Sequence, residues 1–326
     1  MMITDIHCHF VPDEFFRFAS ARPEFAIRVK RREGDLVDLD IRGMHFGLNT
    51  TFFEIPKQIE RMQRDGVERT ILSLATPFID YHQEEKLAVE AARIFNDGLA
   101  AAIDGKRQQF GGWAVLPMQD PAAAAAELRR CVRDHKFVGG HIASNVRGVY
   151  LHDERFTPIY QAALDLDVPL FVHPADPLGK DRTREYELTI VAGYLFDNTI
   201  NILKMICSGF LDRWPKLKFV CAHSGAFSPI LRARMQREVD TNPVLAATLK
   251  RPVGDYLRGL YFDSICFEPD ILRYLTTVVP VEHIMMGSDA PFPLGEPNPV
   301  HFVRNALPAA QAKLILGENF ARLSGA

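Results

Sequence analysis

Residues 3–10 read ITDIHCHF, an apolar strand pattern into which two histidines are set. Side chains alternate along a strand, so His7 and His9 share one face and Cys8 takes the other. Two imidazoles side by side on a hydrophobic strand cost free energy unless something binds them. This stretch therefore predicts a buried first strand with something held by its polar face.

Further apolar runs follow, at RTILSLA (69–75), FGGWAVLP (110–117), FVGGHIAS (137–144), PLFVHP (169–174), KFVCAHSG (218–225), LYFDSIC (260–266) and IMMGSDAP (284–291). Amphipathic stretches separate most of them. IPKQIERMQRDG ends at Gly66, and EEKLAVEAARIFNDGLAAAI spans 84–103. DPAAAAAELRRCVRDH opens with Asp120 as a cap and Pro121 at the first helical position. FTPIYQAALDLD precedes the fifth strand. Eight strands alternating with helices predict an α/β fold, a (β/α)8 TIM barrel, in one domain over 1–326. A chain of 326 residues with 47% apolar residues suits that size and core.

The connection 11–66 is far longer than an ordinary βα loop. Within it, FAIRVKRREGDLVDLDIRG reads as two alternating strands around a turn at Glu33-Gly34-Asp35, a small antiparallel flap over the barrel mouth. The 175–205 segment is a second excursion, predicted helical after Glu185.

A formal net charge of −3 gives no reason to expect nucleic acid or a membrane surface. No apolar run approaches the roughly 18 residues of a span, and the first residues do not read as a signal peptide. Five cysteines without a CxxC read as free thiols in a reducing cytoplasm. Cys221, two residues before His223, is expected to face inward as an inert core thiol.

Active sites of such barrels lie at the C-terminal ends of the strands. His7 and His9 end the first strand, His173 the fifth, His223 the sixth and Asp289 the eighth. Five potential ligands or acid–base groups thus converge on one rim. A single histidine at a strand end is usually a satisfied core or surface residue. The HxH pair, a third His and an Asp at matching ends together point to a metal. Imidazole and carboxylate donors suit Zn²⁺, with Mn²⁺, Fe²⁺ or Co²⁺ as alternatives. His141, in the fourth strand, is a candidate supporting residue; the other histidines read as surface or loop.

These motifs resemble the amidohydrolase superfamily. FVHPADP, WPKLKFVCAHSGAF, GGWAVLPMQDP and MGSDAPFPLGE are similar to the branch of 2-amino-3-carboxymuconate-6-semialdehyde and hydroxybenzoate (γ-resorcylate-type) decarboxylases. The resemblance implies His7, His9, His173 and Asp289 as ligands of one divalent metal, with His223 beside it as general acid–base. GGHIASNV lacks the lysine that binuclear members carbamylate, so one metal is expected. His7 stands where hydroxybenzoate decarboxylases usually carry Glu, which places the chain nearer the carboxymuconate type.

On the substrate side the resemblance puts Asn49 near a position where that decarboxylase carries a carboxylate-gripping Arg. Arg42 or His45 could replace it. A second family Arg, which reaches a neighbouring subunit's site in a homodimer, corresponds to Arg234, with Arg232 as the alternative. The ordinary reading of either is a solvated helix face. Phe292, just after Asp289, is expected as an apolar wall and His45 as a substrate contact. The favoured activity is non-oxidative decarboxylation of an unsaturated or aromatic carboxylic acid, a small-molecule substrate. Hydrolysis of a lactone, ester or amide, or hydration of an unsaturated diacid, uses the same five residues. A structural zinc site would be closed and richer in cysteine.

Overall fold

The computed structural model of the protein describes residues 1–325. Its strands are β1 (Thr4–Phe10), β2 (Ile27–Glu33), β3 (Leu36–Ile41), β4 (Met44–Asn49), β5 (Arg69–Leu74), β6 (Phe110–Val115) and β7 (Gly139–Ala143). They continue with a short hairpin, β8 (Asn145–Val146) and β9 (Val149–Tyr150), then β10 (Leu170–His173), β11 (Phe219–Cys221), β12 (Tyr261–Asp263) and β13 (Ile284–Met285). Eight of these pair in parallel in the order β1-β5-β6-β7-β10-β11-β12-β13. The circle closes where Ile6 N–H donates to the Met286 carbonyl at 3.0 Å and His9 N–H to the Ala290 carbonyl at 2.7 Å. This is the (β/α)8 barrel that the alternation predicts.

The barrel interior is filled by Ile6, Ile71, Trp113, Phe171, Val220 and Met285. Trp113 stacks on Phe171 at 5.3 Å and its indole N–H donates to the Ile6 carbonyl at 2.8 Å, so its one polar atom is satisfied where it is buried. Val220 and Ala222 belong to this inner cluster, whereas Cys221 packs with the outer core beneath the helices. The expectation that Cys221 faces inward is therefore corrected. His223 leaves the strand with a positive φ of 55°, which breaks the alternation counted back from it.

The predicted helices form with their predicted stops. The helix Ile55–Asp65 ends at Gly66, whose φ of 70° is the left-handed cap. The helix Pro121–Asp134 is capped by the Asp120 carboxylate, which accepts the N–H groups of Ala122 and Ala123 at 3.1 and 3.0 Å. The late strands are shorter than expected. β11 ends at Cys221 and β13 at Met285, so His223 and Asp289 lie in loop segments beyond them. Left-handed residues at His223, Ser224 and Asp289 cannot continue a strand.

The excursion after β1 holds three antiparallel strands, β2-β3-β4, where two were expected. Val37, Leu39 and Ile41 of β3 are buried and alternate with half-buried Leu36, Asp38 and Asp40, the pattern that sequence reading caught. The added strand MHFGLN follows a two-residue turn at Arg42-Gly43, both with positive φ. That is the tight-hairpin geometry, hidden because Arg is an uncommon first turn residue.

Residues Glu185–Cys207 form one helical segment long and apolar enough, by length and composition, to cross a membrane. This corrects the expectation that no segment approaches that length. Its polar residues are tied to the barrel instead. Asp197 accepts hydrogen bonds from Tyr150 Oη at 2.8 Å and Asn145 Nδ2 at 3.0 Å, and from Ser144. Asn198 Nδ2 donates to the Ala222 carbonyl at 2.9 Å. Buried polar side chains with barrel partners mark a packed helix of this fold.

Candidate metal centre and substrate cavity

The barrel brings His7, His9, His173, His223 and Asp289 to one mouth. The rings of His7 lie 5.1, 5.0 and 5.2 Å from those of His9, His173 and His223. Asp289 reaches between them. Its Oδ1 is 2.9 Å from His9 Nε2 and 3.3 Å from His7 Nε2, and its Oδ2 is 3.5 Å from His223 Nε2.

A register shift in β1 makes this possible. The pairing with β5 slips between Asp5 and Cys8, so Asp5 does not join the histidines. It accepts hydrogen bonds from Ser288 Oγ at 2.6 Å and Arg61 at 3.3 Å instead. Cys8 points away as expected and meets Gln58 of the helix Ile55–Asp65.

The imidazoles of His7, His9 and His173 are each fixed through Nδ1. His7 Nδ1 lies 2.7 Å from Asp263 Oδ2. His9 Nδ1 meets Ser73 Oγ at 3.1 Å and the Leu74 carbonyl at 3.2 Å. His173 Nδ1 meets Thr76 Oγ1 and the Pro174 carbonyl, both at 3.0 Å. With Nδ1 engaged, Nε2 points to the centre. The Nε2 atoms of His7 and His173 are buried and make no hydrogen bond among the described residues. Orphaned imidazole nitrogens backed by a carboxylate, a hydroxyl or a carbonyl are how metal-ligating histidines are presented. One donor atom from each of His7, His173, His223 and Asp289 falls within 4.8 Å of the others. The donor set thus fits one divalent cation. His9 stands just outside that group, bonded to Asp289.

Electrostatics divide the cluster. Burial holds His173 well below the usual histidine range, and the neighbouring imidazoles push the same way. Burial also lowers His9, outweighing its bond to Asp289. Burial would lower His7 too, but Asp289 and Asp263 outweigh it and raise it to about 10. Asp289 is held well below the carboxylate range, because His7, His223 and His9 outweigh its burial. Neutral His9 and His173 have the form a cation needs; His7 would exchange its proton for one.

Asp263, at the end of β12, is a site residue that sequence reading missed. Beyond holding His7, its carboxylate accepts the N–H groups of His223 at 2.9 Å, Ser224 at 2.8 Å and Ile265 at 3.1 Å. His223 and Ser224 both adopt left-handed backbone, a turn that aims consecutive N–H groups at one anion. The signal was a lone Asp closing the apolar run LYFD. Gly287 is required beside it: a Cβ there would sit 2.9 Å from His7 Cβ and 3.1 Å from Asp263 Cβ. His141 is buried below, 5.7 Å from the His173 ring, with its Nδ1 unpartnered. Burial, above all, and the neighbouring imidazoles hold it well below the usual histidine range.

A cavity of about 560 Å³ opens above the cluster, with His173, His223 and Asp289 on its floor. β4 forms one wall through Met44–Leu48, which puts the flap over the mouth. Phe292 lines the cavity and packs edge-on against His9 at 5.2 Å and Phe52 at 4.8 Å. His45 lines it from an exposed position. Asn49 does not line it. Its Oδ1 accepts Thr51 N–H at 3.0 Å and its Nδ2 donates to the Pro291 carbonyl at 3.2 Å. Arg42 turns away to the carbonyls of Pro77 at 2.8 Å and Ile79 at 3.2 Å. Arg234 is exposed on the helix Ser228–Thr241, outside the lining of its own chain.

Comparison with known proteins agrees with this architecture. The amidohydrolase family model matches residues 4–325. The protein belongs to the amidohydrolase family. It is 31% identical to 2-amino-3-carboxymuconate-6-semialdehyde decarboxylase of Dictyostelium discoideum over 73% of this chain and 67% of that one. It is 32% identical to γ-resorcylate decarboxylase of Rhodococcus jostii, over 72% of this chain and 76% of the relative. Among solved structures, dihydroxybenzoic acid decarboxylase from Polaromonas, with bound manganese and the inhibitor 2-nitroresorcinol, superposes with a TM-score of 0.79 at 23% identity. That match covers 99% of this chain and 97% of the other.

Proposed function

We propose that this protein catalyses the metal-dependent, non-oxidative decarboxylation of an aromatic or unsaturated carboxylic acid. It is a carboxy-lyase of the amidohydrolase family. The observation that carries the reading is the pair of orphaned Nε2 atoms on His7 and His173, beside Asp289 and His223, at the floor of an apolar cavity. The decarboxylases among its relatives supply the reaction class.

In this reading His7, His9, His173 and Asp289 hold the cation. Zinc fits three imidazoles and one carboxylate, with manganese, iron and cobalt as the other cations to test. When bound, such a cation supplies Lewis-acid polarisation of a substrate oxygen next to the reacting carbon. The protein's own residues do the rest. Phe292 and the apolar walls orient the ring and exclude water. His223 delivers a proton from Nε2 to the carbon that bears the carboxylate. As that C–H bond forms, the bond to the carboxylate breaks, CO₂ leaves, and the electron pair stays with the ring. Asp289, 3.5 Å from His223 Nε2, stabilises the protonated imidazole before transfer.

The same reading takes residues 1–326 as one barrel domain with its flap insertion within 11–66, working in the cytoplasm as a homodimer. His45 contacts the substrate from the flap, and Arg234 faces a partner's cavity.

The test is CO₂ release by metal-replete protein against hydroxybenzoates, carboxymuconate semialdehydes and heteroaromatic acids, with substrate loss followed in parallel. Stoichiometric CO₂ is expected. Turnover of lactones, amides or unsaturated diacids without CO₂ would replace this reading by hydrolysis or hydration.

A further inference from the structure

We infer that the substrate is a monocarboxylic aromatic acid carrying an extended apolar substituent, not a compact diacid; this rests on the decarboxylase reading above. The size of the cavity is the first reason. At about 560 Å³ it lies within the range of clefts that enclose drug-sized ligands, and a single substituted ring fills only a small part of it.

The second reason is where the polar groups sit. His173, His223 and Asp289 cluster at the floor, where the one carboxylate must be lost. Among the described residues no Lys or Arg lines the rest of the cavity. Arg42 is bonded to backbone carbonyls, and neither Arg232 nor Arg234 of the same chain lines the cavity. A second carboxylate pressed against these walls would lose its hydration with, apart from His45 on the flap, no cationic side chain of the same chain to replace it.

The third reason is the direction in which the apolar surface runs. Ile190, Val191, Ile230, Phe267 and Leu294 line the outer cavity and are 40–57% exposed. They continue an apolar track from the floor to the solvent. Exposed hydrophobic side chains grouped at a cavity rim mark a ligand-binding groove. An alkyl chain or second ring on the substrate would cover them.

The experiment compares 2-hydroxybenzoates carrying methyl, propyl, pentyl and heptyl groups at position 6 with 2,6-dihydroxybenzoate and a hydroxylated benzene dicarboxylate. kcat/KM is followed by CO₂, and binding of the corresponding 3-alkylphenols is measured separately by calorimetry. Affinity and kcat/KM should rise about two- to fourfold per methylene up to the pentyl compound, the scale of burying a CH₂. Leu294→Arg and Ile230→Arg, at exposed rim positions, should flatten that slope and keep the metal content of the parent. CO₂ release with a flat slope, or with the diacid preferred, would overturn this inference and leave the decarboxylase reading intact. A rising slope in alkylphenol binding with no CO₂ from any acid would support the ligand class and overturn the reaction.

Discussion

His7 Nδ1 and Asp263 Oδ2 lie 2.7 Å apart, both fully buried, and this contact joins the first strand to β12. One carboxylate orients a ligand-type imidazole and accepts the backbone N–H groups of His223 and Ser224. Oδ2 accepts from His7 Nδ1 and the His223 N–H and Oδ1 from the Ser224 and Ile265 N–H groups, so Asp263→Asn, with one acceptor oxygen, leaves one of these pairs without a partner. It should lower metal affinity or activity by about 10–100-fold, as loss of a residue orienting a metal ligand does. Metal competition with a chromogenic chelator measures it; unchanged affinity and rate would remove Asp263 from the site.

His223 and His9 make opposite predictions about the ligand set. Three histidines and Asp289 come within 4.8 Å, with His223 among them and His9 outside, whereas the proposed ligands include His9. His223→Ala should retain metal and lose about 10²–10⁴-fold in kcat, the scale of general acid–base catalysis. His9→Ala and His173→Ala should lose metal and activity together. Metal analysis of the purified variants decides it. Metal loss in His223→Ala with retention in His9→Ala would exchange the two roles.

Much of this site was legible because its residues break a pattern. A histidine in ITDIHCHF or FVHP contradicts an apolar strand, and barrel topology says that all such strand ends share one mouth. Asp263 broke the pattern as well, but a single Asp after LYF also reads as a strand stop. Its meaning appears only when β12 is placed between β11 and β13. Asn49 is a different case. The family resemblance placed it near a substrate, while the local chemistry of Asn, which favours caps and turns, ties it to Thr51 and Pro291. The third flap strand was missed because its turn conformation lies in the backbone at Arg42, not in a turn-forming residue type.

Asn49 yields a prediction that separates packing from recognition. Asn49→Ala removes a cap and the bond to the Pro291 carbonyl, two residues past Asp289. It should cost about 1 kcal/mol of stability and leave the ranking of acid substrates unchanged. Chemical denaturation and the same substrate panel test it. A change in substrate ranking without a loss of stability would restore Asn49 as a substrate contact.

A last prediction concerns pH and a network away from the mouth. Glu127 is nearly buried and accepts hydrogen bonds from Asn96 at 2.8 Å and from Arg130 at 2.7 and 2.9 Å. Asn96 in turn bonds the Val115 backbone at 2.9 and 3.0 Å, so the cluster ties the helix Pro121–Asp134 to β6. Burial pushes the Glu127 carboxyl up, but Arg130 and Asn96 outweigh it and hold it below its ordinary value of 4.5. A carboxylate with a lowered folded-state pKa stabilises the fold above its unfolded pKa, and loses that contribution as pH falls through the folded value. Arg130 is 21% exposed, so solvent weakens the pair below the full buried-pair range. Arg130→Ala should cost about 2 kcal/mol at pH 7 and clearly less at pH 4, where Glu127 without its partner takes up a proton. Urea unfolding of parent and variant at both pH values gives the difference. An equal cost at pH 7 and pH 4 would mean that Arg130 acts through packing and not through charge.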